Sequence, residues 1–177
     1  MWRAFFRNDY DCFSLNKIYK FFKERTLKKT LVLGIGNYLM GDEGIGVHLI
    51  NSLENETFPS HIEIMDGGTG GFHLLGPMQE VDKLVLIDAS CDTSAEGTIR
   101  KIVPKFAGDY PPTLTAHDIG LKDLLDAFYI TEKVPEVILF AITIKPLTGD
   151  LSTDLTPAIQ AILPELKRQV IQEALNS

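Results

Sequence analysis

Residues 30–46 read Thr30-Leu-Val-Leu-Gly-Ile-Gly-Asn-Tyr-Leu-Met-Gly-Asp-Glu-Gly-Ile-Gly46 (TLVLGIGNYLMGDEGIG), a short apolar run that breaks into a glycine-rich loop. A continuous apolar run of this length marks a buried parallel strand, and a glycine-rich exit from such a strand usually marks a bound phosphate. Gly36 and Gly41 have the glycine spacing of a P-loop, yet Asp42 and Glu43 stand where that motif needs Lys and then Ser or Thr. The dinucleotide fingerprint fails as well. Its third glycine position holds Leu39, and Asp66 lies 30 residues beyond Gly36 where an acid about 20 residues on is required. A pyrophosphate here would face two carboxylates across a short loop, a repulsion the helix dipole does not offset. A glycine-rich turn with its own negative charge instead suits a metal or a metal-bearing partner.

Working outward, short β-rich runs alternate with helical patterns. Residues 44–54 place Ile45, Leu49, Ile50 and Leu53 at helical spacing. A second strand over 61–65 leads to Asp66-Gly67-Gly68. A short helix over 72–80 follows, with Gly76-Pro77 as its weak point. A third strand over 84–87 ends at Asp88, and a fourth over 97–103 closes at Pro104. Past the Pro111-Pro112 turn, residues 118–129 form a helix with Leu121, Leu124, Leu125 and Phe128 on one face. A fifth strand covers 136–142. The last helix starts with Thr156 as N-cap and Pro157 at its first position, and Pro164 is expected to kink or divide it. The alternation predicts an α/β three-layer sandwich with a twisted, mostly parallel five-stranded sheet flanked by helices.

The 177-residue chain is long enough for one substantial core. Its net charge of −7 argues against nucleic acid as a partner. Two cysteines, Cys12 and Cys91, fit a reducing compartment, and no apolar stretch is long enough for a membrane span, so a cytoplasmic protein is expected. Residues 1–29 hold eight basic residues against three acidic ones, a net +5 that leaves −12 to the rest, together with eight aromatic residues. Residues 1–28 therefore read as an appendage to a domain over 29–177. An interfacial helix or docking arm is one possibility. A poorly ordered extension, or upstream sequence included by a misplaced start codon, is the simpler expectation.

In an open α/β sheet, ligands bind beyond the carboxyl ends of the strands. Asp42 and Glu43 follow the first strand, Asp66 the second and Asp88 the third, and His117 lies within reach of the same edge. Two carboxylates and an imidazole make an open ligand set for a first-row divalent ion. Each residue also has a plainer role: Asp42 as an N-cap, Asp66 as the side chain that fixes the turn at Gly67-Gly68, Glu43 as a charge complementing a helix dipole, and His117 as a surface or capping histidine. His48, His61 and His73 sit within elements and read as structural. Cys91 with His117 would make a nucleophilic pair, but no activating helix N-terminus or oxyanion-hole pattern surrounds Cys91.

Taken together, Gly34-Ile-Gly36-Asn37 with Leu39, Asp42-Glu43-Gly44-Ile45-Gly46-Val47, Asp66-Gly67-Gly68-Thr69, Ile87-Asp88-Ala89, His117-Asp118-Ile119-Gly120-Leu121 and Leu155-Thr156-Pro157 resemble the hydrogenase maturation endopeptidases over residues 29–172. That family trims the C-terminal tail from the large subunit of [NiFe] hydrogenases. The resemblance implies a hydrolase, aspartic-type or metal-assisted. It further implies that Glu43, Asp88 and His117 form the metal and catalytic site, with Asp42 and Asp66 as secondary candidates. The nickel would come with the substrate precursor, and tight binding by the free protein is not expected. A monomer acting on the large-subunit precursor is the implied arrangement. Two departures stand out: no glycine within Ile142-Thr-Ile-Lys-Pro146, and Asp154 in place of a glycine. They lie outside the expected site, so they bear on loop shape or partner choice. A nucleotide- or small-molecule-binding α/β enzyme and a non-catalytic nickel-sensing chaperone are the alternatives.

Overall fold

Apolar side chains at consecutive positions of Leu31–Leu33 and Leu84–Ile87 leave no face for solvent, so both segments must be covered on two sides. A computed structural model, which describes residues 28–104, 134–146, 149 and 151–176, shows how. Five strands, β1 (Thr30–Gly34), β2 (Ile62–Asp66), β3 (Lys83–Ser90), β4 (Ile99–Ile102) and β5 (Glu136–Thr143), form one sheet in the order β2-β1-β3-β5-β4. All pairings are parallel except that of β4 with β5. Every residue of the central β1 and β3 is buried. Among the described residues the α-helices are α1 (Ile45–Leu53), α2 (Leu75–Gln79) and α3 (Pro157–Leu175).

Side chains alternate across the sheet with the two-residue period of a strand. Val85, Ile87 and Phe140 face a core built with Ile45 and Leu49 of α1 and Leu166 of α3. Leu84, Leu86 and Leu139 face the other side, with Met78 of α2. This is the α/β sandwich with a mostly parallel five-stranded sheet that the sequence predicts.

Three local expectations change. β3 does not stop at Asp88. It runs on to Ser90, because β5 offers a ladder of equal length and pairs Asp88 with Ala141 and Ser90 with Thr143. Pro164 does not divide α3. The Gln160 carbonyl that loses its usual donor lies on the exposed face, where water can replace it. The helical segment at 72–80 is continuous through Gly76-Pro77, as a 3-10 turn at Phe72–Leu74 that leads into α2. Pro77 falls in the first turn of α2, where a backbone N–H has no helical partner to lose. Of the extension assigned to residues 1–28, Lys28 alone lies within the described residues, and it pairs with Glu136 (3.3 Å). The 118–129 helix and His117 lie outside them.

At the amino end of β3 sits a charge cluster that apolar patterning does not predict. Lys83, 2% exposed, meets Glu173 Oε1 at 2.6 Å and donates to the carbonyls of Glu173 (2.9 Å) and Asn176 (3.4 Å). Lys101 of β4 pairs with the other Glu173 oxygen. Lys83 thus caps the last turn of α3, where its carbonyls would otherwise lack donors.

Candidate active site

The carboxyl edge is organised by the register of the sheet. Gly34, the last residue of β1, lies beside Asp66 on one neighbour and Ile87 on the other. Asp88 is therefore one residue past the end of β1, level with the loop that leaves it. Ile35 continues the ladder by donating to the Ile87 carbonyl (2.8 Å). The chain then turns back, and Gly41–Gly44 form a 3-10 turn that packs on β3 and carries Asp42 and Glu43.

Glycine is required where these pieces meet. Gly36 has φ +143°, and a Cβ there would overlap the Glu43 carbonyl oxygen. A Cβ on Gly46 would run into the backbone of Ile35 and Ile87. The glycines let the Glu43-bearing turn, the loop after β1 and α1 come together at backbone distance.

The carboxylates differ in burial and in contacts. Glu43 is 1% exposed and Asp88 0%. Asp88 accepts from the Ala89 N–H through Oδ1 (2.7 Å). Asp66 fixes its turn, accepting from the Gly68 N–H (2.8 Å), while Gly68 in turn accepts from the Gly36 N–H (2.8 Å). That is the plainer of its two expected roles. Asp42 makes no side-chain cap to the helix that follows it. Its carboxylate instead receives the Thr156 N–H (2.7 Å) and hydroxyl (2.8 Å). His117 lies outside the described residues, and among those no three His, Cys, Asp or Glu side chains form a metal-sized cluster.

Several neighbours complete the edge. Asp92 anchors the exit of β3, accepting from Arg100, from the Thr143 hydroxyl (3.2 Å) and from the Ser94 N–H (2.7 Å). The Ser94 N–H is the main reason its carboxyl lies below the usual range, with the Arg100 charge contributing less. His48 packs on Tyr38, ring centroids 4.7 Å apart. Burial holds its imidazole below the usual pKa against the pull of Asp154 and Asp42 and a hydrogen bond with the Thr153 backbone. It lies inside α1, where the sequence places it.

A cavity of about 280 Å³ opens beside the turn, lined by Asp42, Glu96, Lys145, Asp154 and Thr156. Lys145 pairs with Glu96 there at 2.7 Å. Lys145 and Pro146, from one departure in the sequence, and Asp154, the other, line this cavity together with Asp42. No local signal announces this, because 42, 145 and 154 meet only through the fold.

Cys91 lies three residues beyond Asp88. Burial first, then the Glu43 and Asp92 carboxylates, push its thiol pKa up. Removing the Glu43 charge should bring it down. In a Cys12→Ser background, Glu43→Gln should alkylate Cys91 faster with iodoacetamide near pH 8 than the parent does. An unchanged or slower rate would place Glu43 away from Cys91.

A family model described as HycI, hydrogenase maturation protease, matches residues 47–173. The chain belongs to the hydrogenase maturation protease family. It is 34% identical over 149 residues to the hydrogenase 2 maturation protease of Escherichia coli (strain K12), spanning 81% of this chain and 88% of that one. It is 37% identical over 114 residues to the hydrogenase expression/formation protein HupM of Azotobacter chroococcum, 62% of this chain and 54% of that longer protein. The fold superposes on the hydrogenase maturating endopeptidase HybD of E. coli with a TM-score of 0.71 at 33% identity, covering 84% of this chain and 93% of that one. As a hydrogenase maturation protease, the chain is a hydrolase. Asp66 and Asp88 fall within the matched span, whereas Asp42 and Glu43 lie just ahead of it. No helix among the described residues is long and apolar enough to cross a membrane.

Proposed function

We propose that this protein is the endopeptidase that removes the C-terminal peptide from the nickel-loaded large-subunit precursor of a [NiFe] hydrogenase. The observation that carries this is the pair of withdrawn carboxylates, Glu43 and Asp88, held at one sheet edge by a glycine-lined turn in a chain of this family. With His117, they would engage nickel that the precursor already holds. Oxygen and imidazole donors bind such an ion less tightly than the soft thiolates of a cysteine cluster, so they can read the metal without extracting it. The same two acids oppose a bound phosphate, which disfavours the nucleotide-binding alternative.

Hydrolysis requires water to add to the scissile carbonyl, a base to take the water proton, and a proton for the departing amine. Substrate nickel polarising that carbonyl is one route. A carboxylate acting as general base, with nickel serving recognition alone, is the other. Asp42, Asp66 and Asp88 are the candidates for that base.

Mass spectrometry of nickel-loaded and nickel-free precursor incubated with this protein tests the proposal. Loss of a C-terminal peptide from the loaded form alone is expected. A complex that forms while the precursor mass stays unchanged would identify a nickel-sensing chaperone instead.

A further inference from the structure

Asp42 has the position of a catalytic acid and the contacts of a structural one. Both its oxygens are engaged by Thr156, a residue 114 positions away in sequence. Thr156 is also the N-cap of α3, its hydroxyl accepting from the Ile159 N–H (3.5 Å). Two backbone bonds flank this contact: Gly41 donates to Ser152 (2.7 Å), and Ser152 donates to Leu39 (2.9 Å). The 3-10 turn that presents Glu43 has no side-chain cap of its own. Its place is therefore set from outside, by the glycine contacts beneath and by the start of α3 beside it.

We infer that Asp42 is a positioning residue whose carboxylate clamps the Glu43-bearing turn to the N-terminus of α3 through Thr156. This rests on the function proposed above. The physical case is direct. A carboxylate at a helix N-terminus, with two charge-assisted donors from one residue, is a stiff joint. Glu43 is the next residue, so any yaw of the turn moves it. Displacement of a catalytic group by about 1 Å can cost on the order of a hundred-fold in rate. Asp42 is thereby assigned a role other than general base or metal ligand.

Steady-state cleavage of the nickel-loaded precursor by the full chain separates the cases. Asp42→Asn and Thr156→Val should each lower kcat by about ten- to a hundred-fold, with KM within about two-fold of the parent. Thr156→Ser keeps the hydroxyl and should restore most of that rate. The double variant should lose little beyond the worse single change, since both break one joint. All assays run well below each variant's Tm, which removes simple unfolding as a cause. An unchanged kcat in both single variants, a raised KM at full kcat, or a Thr156→Ser variant as slow as Thr156→Val overturns the inference.

If the parent itself leaves the precursor uncut, the proposed function has failed, and hydrogen exchange then judges the clamp. Faster exchange of the Gly41 and Glu43 amides in Asp42→Asn than in the parent supports it. Identical exchange overturns it.

Discussion

Asp88→Asn is expected to lose at least about a hundred-fold in precursor cleavage, and Glu43→Gln a comparable amount, with the fold retained. Asp88 is fully withdrawn from solvent within β3, and the amide has the shape of the carboxylate. Its oxygen can still accept from the Ala89 N–H, so the local backbone bond survives. What disappears is the charge that would hold nickel or take a proton. A buried carboxylate is costly to keep, and residues of this kind persist where activity needs them. Thermal melting and cleavage measured on the same preparation decide the matter: Tm within a few degrees of the parent, rate collapsed. His117→Ala belongs in the same series. Full cleavage by any of these variants would remove that residue from the mechanism.

The largest stability loss is expected at the other edge. Lys83→Met should destabilise the protein by about 3 kcal/mol, the lower end for breaking a buried ion pair, because Glu173 retains Lys101. For a chain of this size that is a fall in Tm of roughly 10 °C. Lys101→Met, removing a side chain 47% exposed, should cost about 1 kcal/mol or less. Combining Lys83→Met with Glu173→Leu should recover much of the loss, since no charge then stays buried without its lysine.

The same cluster gives a pH dependence of known sign. Burial alone would raise the Glu173 pKa, but hydrogen bonds from Lys101 and Lys83 outweigh it and hold the carboxyl below its usual 4.5. Glu173 then contributes stability above that value, and the contribution is lost as pH falls through its lowered folded pKa. Urea midpoints between pH 6 and pH 3 should fall less steeply in Lys83→Met than in the parent.

The sheet is legible because its signal is local and redundant. Continuous apolar runs at 30–34, 84–87 and 136–142 admit little but buried strands, and the helical spacing at 45–53 covers one face. The Asp66 turn is legible for the same reason, since its partner Gly68 is two residues away. Asp88 reads as a strand end because polar residues usually stop a run, and only the length of β5 shows that the ladder continues. Lys83 lies just ahead of the apolar run, and nothing in its local spacing marks it as buried. The Asp42–Thr156 contact has no sequence signature, because spacing along the chain is silent on pairs that meet through tertiary packing. Thr156 announces one of its two roles, the cap, and hides the other.

The two ends of α3 have a joint consequence. Its 19 residues span about 28 Å, with Thr156 joined to the turn at one sheet edge and its last carbonyls joined to Lys83 at the other. A rod pinned at both ends carries load between its pins. Loosening the distant lysine should therefore let the Glu43-bearing turn wander while the sheet between them stays whole. Mutational drift far from the chemistry would then surface as slower maturation before it surfaces as unfolding.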